Sequence, residues 1–217
     1  MKEVRYKTIL DDSEDELIEK KSKFIANIYY VENVKQAEKK IEDIKKKYYD
    51  AKHHCFAYRI LEDNRVVMKS SDDGEPTGTA GIPMLEILQK RELVNIIVIV
   101  TRYFGGILLG TGGLLRAYTN VENMALKKCE NAELFDGEVL ELEIDYKNFE
   151  NFRYFCYKND INIIKIEYKE MIYVTIKTTF DEKTKILYEN KEGKIHIEKL
   201  EIVKNEKIFK KINNCYK

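Results

Sequence analysis

The residue types that do chemistry gather in three short stretches of this chain. Adjacent histidines, His53 and His54, open the apolar segment AKHHCFAYRIL (51–61), which also carries Tyr58. Asp72, Asp73 and Glu75 stand among glycines and both prolines of the chain in SSDDGEPTGTAGIP (70–83). Arg102 and Arg116 bracket Gly105, Gly106, Gly110, Gly112 and Gly113 in TRYFGGILLGTGGLLRAY (101–118). Histidines beside carboxylates are the ligands and proton carriers of metal-assisted hydrolysis. A glycine turn leading into a helix offers unpaired backbone N–H groups and a positive dipole end, which is anion-binding chemistry.

Each of these readings has a plainer rival. Neighbouring histidines on a strand point to opposite faces, so His53 and His54 do not readily share one ion. No HExxH or similar metal spacing occurs, and the default for these groups is a polar structural network. Ser70, Ser71 and Cys55 lie in no nucleophile motif. Gly105 and Gly110 fit the GxxxxG frame of a P-loop, but Thr111 stands where its lysine belongs. A GxG at Gly110 and Gly112 lacks the final glycine of a dinucleotide fingerprint, since Leu115 stands there. What survives is a generic anion corner, set against simple close packing of strand on helix. Arg116, read as a first-turn cation of its helix, opposes the dipole by roughly 0.3–1 kcal/mol and calls for an anionic partner. That partner is a ligand phosphate or one of Asp72, Asp73 and Glu75, and Arg102 faces the same choice. No metal or cofactor is assigned.

The elements that must hold these residues follow from periodicity. Residues 3–10, 16–20 and 24–30 read as strands, with the polar KKSK turn (20–23) between the last two. Asn33 is an N-cap with Gln36 at N3, and Val34, Ala37, Ile41, Ile44 and Tyr48 recur as one helical face. The opposite, lysine-rich face, Lys45–Lys47 included, reads as solvated, and only secondarily as a phosphate-contacting surface. Strands at 51–61 and 65–70 form a hairpin across Glu62–Asn64. Pro83 suits the first turn of a short helix ending near Lys90. Ile96–Val100, all β-branched, predicts a strand buried on both faces. A helix then starts near Gly113, buries Leu114, Tyr118, Val121 and Ala125, and ends near Lys127–Lys128. Beyond about residue 131 the glycines thin out. Strands at 137–146, 161–168, 171–179 and 194–203, with helices at 149–157 and 181–190, spell the βαββαβ order of a ferredoxin-like domain. This predicts an α+β protein of two domains, 1–130 and 131–217.

Composition narrows the partners. With 217 residues, 44% hydrophobic and 35% charged, the chain has enough apolar material for real cores. Its 38 basic and 38 acidic residues cancel, so any attraction to a polyanion must be local. The four cysteines are widely spaced, as reduced thiols of a cytosolic protein are, and neither a signal peptide nor a membrane span is read.

Three segments, HHCFAYRI (53–60), SDDGEPTGTAGIPML (71–85) and VTRYFGGILLGTGGLLRAY (100–118), closely resemble the signature of the IMPACT/YigZ family. The resemblance spans about Lys20 to Lys127, and the second half is similar to the small C-terminal domain of bacterial members, itself like domain V of elongation factor G. The motif positions it carries over are His53, His54, Tyr58, Asp72, Asp73, Gly74, Glu75, Pro76, Arg102, Tyr103, Gly105, Gly106, Gly110, Gly112, Gly113, Arg116 and Tyr118. It implies a βαβ-rich first domain, of the kind found in the second domain of a small-subunit ribosomal protein. It also implies cytoplasmic location and a role in translation regulation. By analogy with the two RNA-associated folds, the expected function is a binding protein that contacts RNA, the ribosome or translation factors. Eukaryotic members carry a further module, tied to stress signalling, that has no counterpart in this sequence. The family transfers no catalytic residue. The competing expectation is an enzyme on a nucleotide or phosphate ester, using the glycine turn for the anion and Asp72, Asp73 or Glu75 for metal or proton transfer.

Overall fold

The structure, a computed structural model, describes residues 5–63 and 65–211. Residues 3–4 of the expected first strand and Asn64 of the hairpin turn lie outside the described residues, as does Cys215. The chain forms two compact units, one built on Tyr6–Glu133 and one on Leu134–Lys210.

The first unit runs β1 (Arg5–Ile9), β2 (Ser13–Glu19), β3 (Ser22–Tyr30), α1 (Val34–Lys47), β4 (His53–Glu62), β5 (Arg65–Ser71), α2 (Gly81–Lys90), β6 (Ile96–Tyr103) and α3 (Thr111–Lys128). Its main sheet has the order β2-β3-β6-β4-β5, with every neighbouring pair antiparallel. β3 and β4, joined by α1, are therefore parallel to each other with β6 between them, and β5 and β6 likewise flank β4 across α2. These two interleaved βαβ units are what the motif resemblance implied.

Helices cover both sheet faces, and this buries β6 on both sides as its apolar run predicts. Val98 and Val100 turn to the cluster that holds Phe24, Cys55, Met84, Leu88, Tyr118 and Val121. Ile97 and Ile99 turn the other way, to Ala37, Ile44, Phe56 and Tyr58. Each such side chain contributes roughly 1.5–3 kcal/mol of burial. α1 begins as the sequence asks, with the Asn33 side chain accepting from Gln36 N. Gln36 turns its own amide oxygen to Glu32 N, 2.9 Å away, one residue before the position a capping box would use.

The second unit runs β7 (Asn131–Ile144), α4 (Tyr146–Lys158), β8 (Asn162–Tyr168), β9 (Ile172–Thr179), α5 (Phe180–Lys191) and β10 (Lys199–Lys211). β7 lies between β9 and β10, with β8 beyond β9, the ferredoxin-like order. α4 and α5 bury Phe149, Phe152 and Ile186 with Leu140, Leu142, Val174 and Ile176. The last strand is displaced from the expected 194–203. Ile195 and Ile197 go into or against the core before the strand begins, and Ile197 N donates to Asn190 Oδ1 (2.9 Å). The strand itself continues through the charged run 204–211, where Lys177, Lys204 and Glu206 form ion pairs.

Candidate functional site

The three chemistry-bearing stretches meet at one end of the main sheet. The register places Arg102 between Phe24 on β3 and His53 on β4. Alternation along β4 sends His53 and Cys55 toward α3, and His54 and Tyr58 toward α1. The histidines thus separate as expected. Tyr58 stacks on Phe56 in the α1-side core and takes no part in the polar cluster, because its strand position faces away from it.

The loop 72–80 is organised by its own carboxylates. Asp72 accepts N–H bonds from Gly78 (2.8 Å), Ala80 (2.9 Å) and Gly81 (2.8 Å). Ala80 is the N-cap residue of α2 and has no capping side chain, so Asp72 closes that helix end from a distance. Burial pushes the Asp72 carboxyl up, but the three backbone donors outweigh it and hold the group below its ordinary value. Asp73 Oδ2 accepts the His54 backbone N–H (2.7 Å), and its Oδ1 accepts from Lys45 Nζ (3.0 Å). His53 Nδ1 lies 3.0 Å from the Asp73 carbonyl oxygen, and His54 Nε2 lies 3.1 Å from that of Tyr48.

Glu75 goes inward. Its Oε1 accepts from Arg102 Nη1 (2.6 Å) and from the Tyr118 hydroxyl (2.9 Å), with the side chains of Arg102 and Glu75 only 7% and 3% exposed. The guanidinium carbon lies 5.4 Å from the Phe24 ring centroid and 5.6 Å from that of Phe104, so the cation sits near two aromatic rings. Arg102 Nη2 also reaches Ser22 Oγ (3.4 Å), which accepts the Gly105 N–H (3.1 Å). Of the partners the sequence leaves open for Arg102, the structure chooses Glu75. Cys55 Sγ lies 2.9 Å from the Asp72 carbonyl oxygen and 3.4 Å from Tyr118 Oη, and burial pushes its thiol up to about 12. Such burial disfavours the thiolate that a nucleophile would need.

The glycine turn is a turn, as expected, between Tyr103 and Thr111. Gly105 is required because a Cβ there would stand 2.0 Å from the Lys21 carbonyl carbon. Gly110, the N-cap of α3, has φ 73° and offers no side-chain cap. One expectation fails here. α3 starts at Thr111, so Arg116 lies in its second turn, beyond the reach of the dipole penalty argued for a first-turn cation. Arg116 is exposed, separate from the carboxylate loop, and lines a groove with Leu17, Lys20, Leu109, Ala117 and Asn120.

Sequence reasoning passes over Lys45, Ser22, Phe24 and Phe104. Lys45 belongs to a helix face that reads as solvated, and nothing in the helix pattern marks it as the partner of Asp73. Among the described residues no group of three His, Cys, Asp or Glu side chains converges as a metal site, and no helix is long and apolar enough to cross a membrane.

A family model described as the Impact N-terminal domain matches residues 20–126, which include all three stretches. An IMPACT family member of Haemophilus influenzae is 36% identical over 187 residues, 84% of this chain and 91% of that one. The chain belongs to the IMPACT family. IMPACT family member YigZ of Escherichia coli is 34% identical over 158 residues, 72% of this chain and 78% of that protein. IMPACT family member YvyE of Bacillus subtilis is 48% identical over 113 residues, and the aligned part spans about half of each chain, 52% in both. The crystal structure of a hypothetical protein aligns with 91% of this chain and 96% of its own, with a TM-score of 0.59 and 29% identity. That likeness extends past the matched domain into the second half of the chain.

Proposed function

We propose that this IMPACT family chain is a cytoplasmic, translation-associated binding protein that contacts RNA, the ribosome or a translation factor. The observation that carries this reading is the fate of the carboxylates. Asp72, Asp73 and Glu75 are each bonded to donors of the fold, so they hold the loop and the sheet end in shape rather than sit free in a cleft. An enzyme using them for metal or proton transfer would have to draw on carboxylates that already satisfy donors of the fold. Among the cations that face outward, Lys20, Lys21 and Arg116 stand at the rim of the glycine turn. On the second unit's sheet and its β8–β9 turn, lysines are matched by acids: Lys165 and Lys169 pair with Glu167, Lys199 with Glu143 and Glu201, and Lys177 and Lys204 with Glu206.

The test is a salt titration of binding to total RNA and to purified ribosomal subunits, for wild type and for Lys20→Ala/Arg116→Ala. Weak binding that falls as salt rises is expected. If the cations pair with phosphates, the slope of log affinity against log salt on duplex RNA shrinks by about one unit for each phosphate the variant no longer neutralises. Absence of binding to RNA and to subunits at low salt would sink the reading. Turnover of a phosphate ester that Asp73→Asn abolishes would install the enzyme in its place.

A further inference from the structure

The loop between β6 and α3 turns apolar side chains outward. Leu108 is 82% exposed and Phe104 54%, with Ile107 exposed beside them and Leu115 exposed on α3. Looseness is not the reason. The loop is bent at Gly106 and Gly110, both in the left-handed region, and Gly105 lies hard against the backbone of Lys21 and Ser22. That neighbouring turn is itself unusual. Lys20 and Lys21 form the two-residue connection of the β2–β3 hairpin, both with positive φ (46° and 65°), where Asn and Gly are the ordinary choices. Lysines strain the backbone there, yet the turn presents two ammonium groups.

Loop and turn border one groove of about 140 Å3. Leu17, Leu109 and Ala117 give it apolar walls, while Lys20, Arg116 and Glu19 supply the charge at its edge. Among the described residues, none of Lys20, Lys21 and Arg116 has an ion-pair partner, so the local charge is positive in a chain whose total is zero.

This combination separates two kinds of occupant. Single-stranded RNA is held by flat rings on which bases stack. Here the exposed ring of the loop, Phe104, already lies beside the Arg102 guanidinium, and the exposed apolar residues that follow it, Ile107 and Leu108, are branched aliphatics. Leu and Ile knobs beside an apolar groove with cationic edges complement a polypeptide instead. We propose that this end of the sheet docks an acidic segment of a protein partner. An apolar side chain of the segment enters the groove between the β2–β3 turn and α3, and its carboxylates pair with Lys20, Lys21 and Arg116. Ile107 and Leu108 pack against the same segment. The inference rests on the reading of the chain as a binding protein and assigns the contact to protein rather than RNA.

Random peptides displayed on phage are panned against the full chain, and the strongest binder, labelled, is titrated by fluorescence anisotropy. The variants are Ile107→Ser/Leu108→Ser, Lys20→Glu/Arg116→Glu, and the charge-matched control Lys35→Glu/Lys39→Glu on the exposed side of α1. All these positions are on the surface, and circular-dichroism melts confirm folding of each variant. The selected peptides should be rich in Asp and Glu around Leu, Ile or Phe. Affinity should fall about tenfold or more in each of the first two variants, as at a buried interface anchor, and stay level in the control. Failure to select any peptide, selection without acidic enrichment, or indifference to the Ile107/Leu108 change overturns the proposal. A labelled oligouridylate is titrated in parallel. Binding that Lys20→Glu/Arg116→Glu abolishes and Ile107→Ser/Leu108→Ser leaves intact gives the surface to RNA, and also overturns it. Co-sedimentation with ribosomal subunits separates this inference from the broader reading. Association unaffected by either double variant defeats the docking site alone. Peptide binding as described without any ribosome or RNA association defeats the translation reading alone.

Discussion

Glu75 and Arg102 show how a charged pair behaves when the fold takes it out of water. Removing either partner leaves the other charge buried, which costs about 3–5 kcal/mol, whereas replacing both with apolar or neutral groups of similar size is far milder. Arg102→Met alone should therefore destabilise by about that amount in urea titrations. Arg102→Met/Glu75→Gln should recover most of the loss, since the glutamine oxygen still accepts from the Tyr118 hydroxyl. If the double variant is worse than the single, the pair is not the unit described here. Glu122 is the opposite case: fully buried on α3, with neither carboxyl oxygen bonded among the described residues. Burial raises its pKa well above the ordinary value, opposed only by the charge of Arg91. The folded state thus holds this proton more tightly than the unfolded chain does. Its stability is complete below the unfolded value and falls as pH rises toward the folded one, by about 1.4 kcal/mol per pH unit within that window. Glu122→Gln should gain on wild type in melts from pH 5 upward and converge with it in acid.

At the scale of elements, α2 depends on a carboxylate nine residues before its first position. Asp72→Ala strips three N–H groups of their acceptor and should cost about 2 kcal/mol or more, with Asp72→Asn intermediate. Because the folded carboxyl titrates below its ordinary value, its contribution is present above that value and is lost as pH falls through the folded one. Thermal melts of wild type and Asp72→Asn across the acid range should draw together as pH drops. The existence of α2, α3 and the βαββαβ run is legible in apolar spacing, since those patterns record which face is buried. The Asp72 cap is not, because a loop sequence states which donors and acceptors exist but not which of them meet. The same limit hides the Lys45–Asp73 bond and leaves Arg102 with an open choice of partner. β10 departs from its expected place for a different reason. In KIHIEKLEIV the apolar positions 195 and 197 alternate, but 200 and 202 fall out of phase with them. That slip marks a break between a core-filling segment and the strand that follows, whose charged half buries Ile208 alone and is otherwise supported by ion pairs that leave no apolar periodicity.

At the scale of the molecule, the chain has no overall charge and yet holds an uneven surface. The lysines on the second unit's sheet are matched by glutamates, while those at the glycine turn of the first are not. The buried circuit beneath that turn also has a direction in time. Glu75 leaves the ribosome well before either of its donors, since Arg102 follows 27 residues later and Tyr118 another 16. Until α3 has emerged, a nascent chain carries a carboxylate that the fold cannot yet shelter, and the strand meant to lie at the centre of the sheet is covered by α1 on one face and lacks α3 on the other. Synthesis should therefore pass through a long protease-sensitive phase and end it abruptly. Ribosome-stalled chains ending shortly before Tyr118 should be digested readily, and those in which all of α3 has cleared the exit tunnel should resist. A gradual gain of resistance as β3, β4 and β5 emerge would mean that the sheet settles without its charged end.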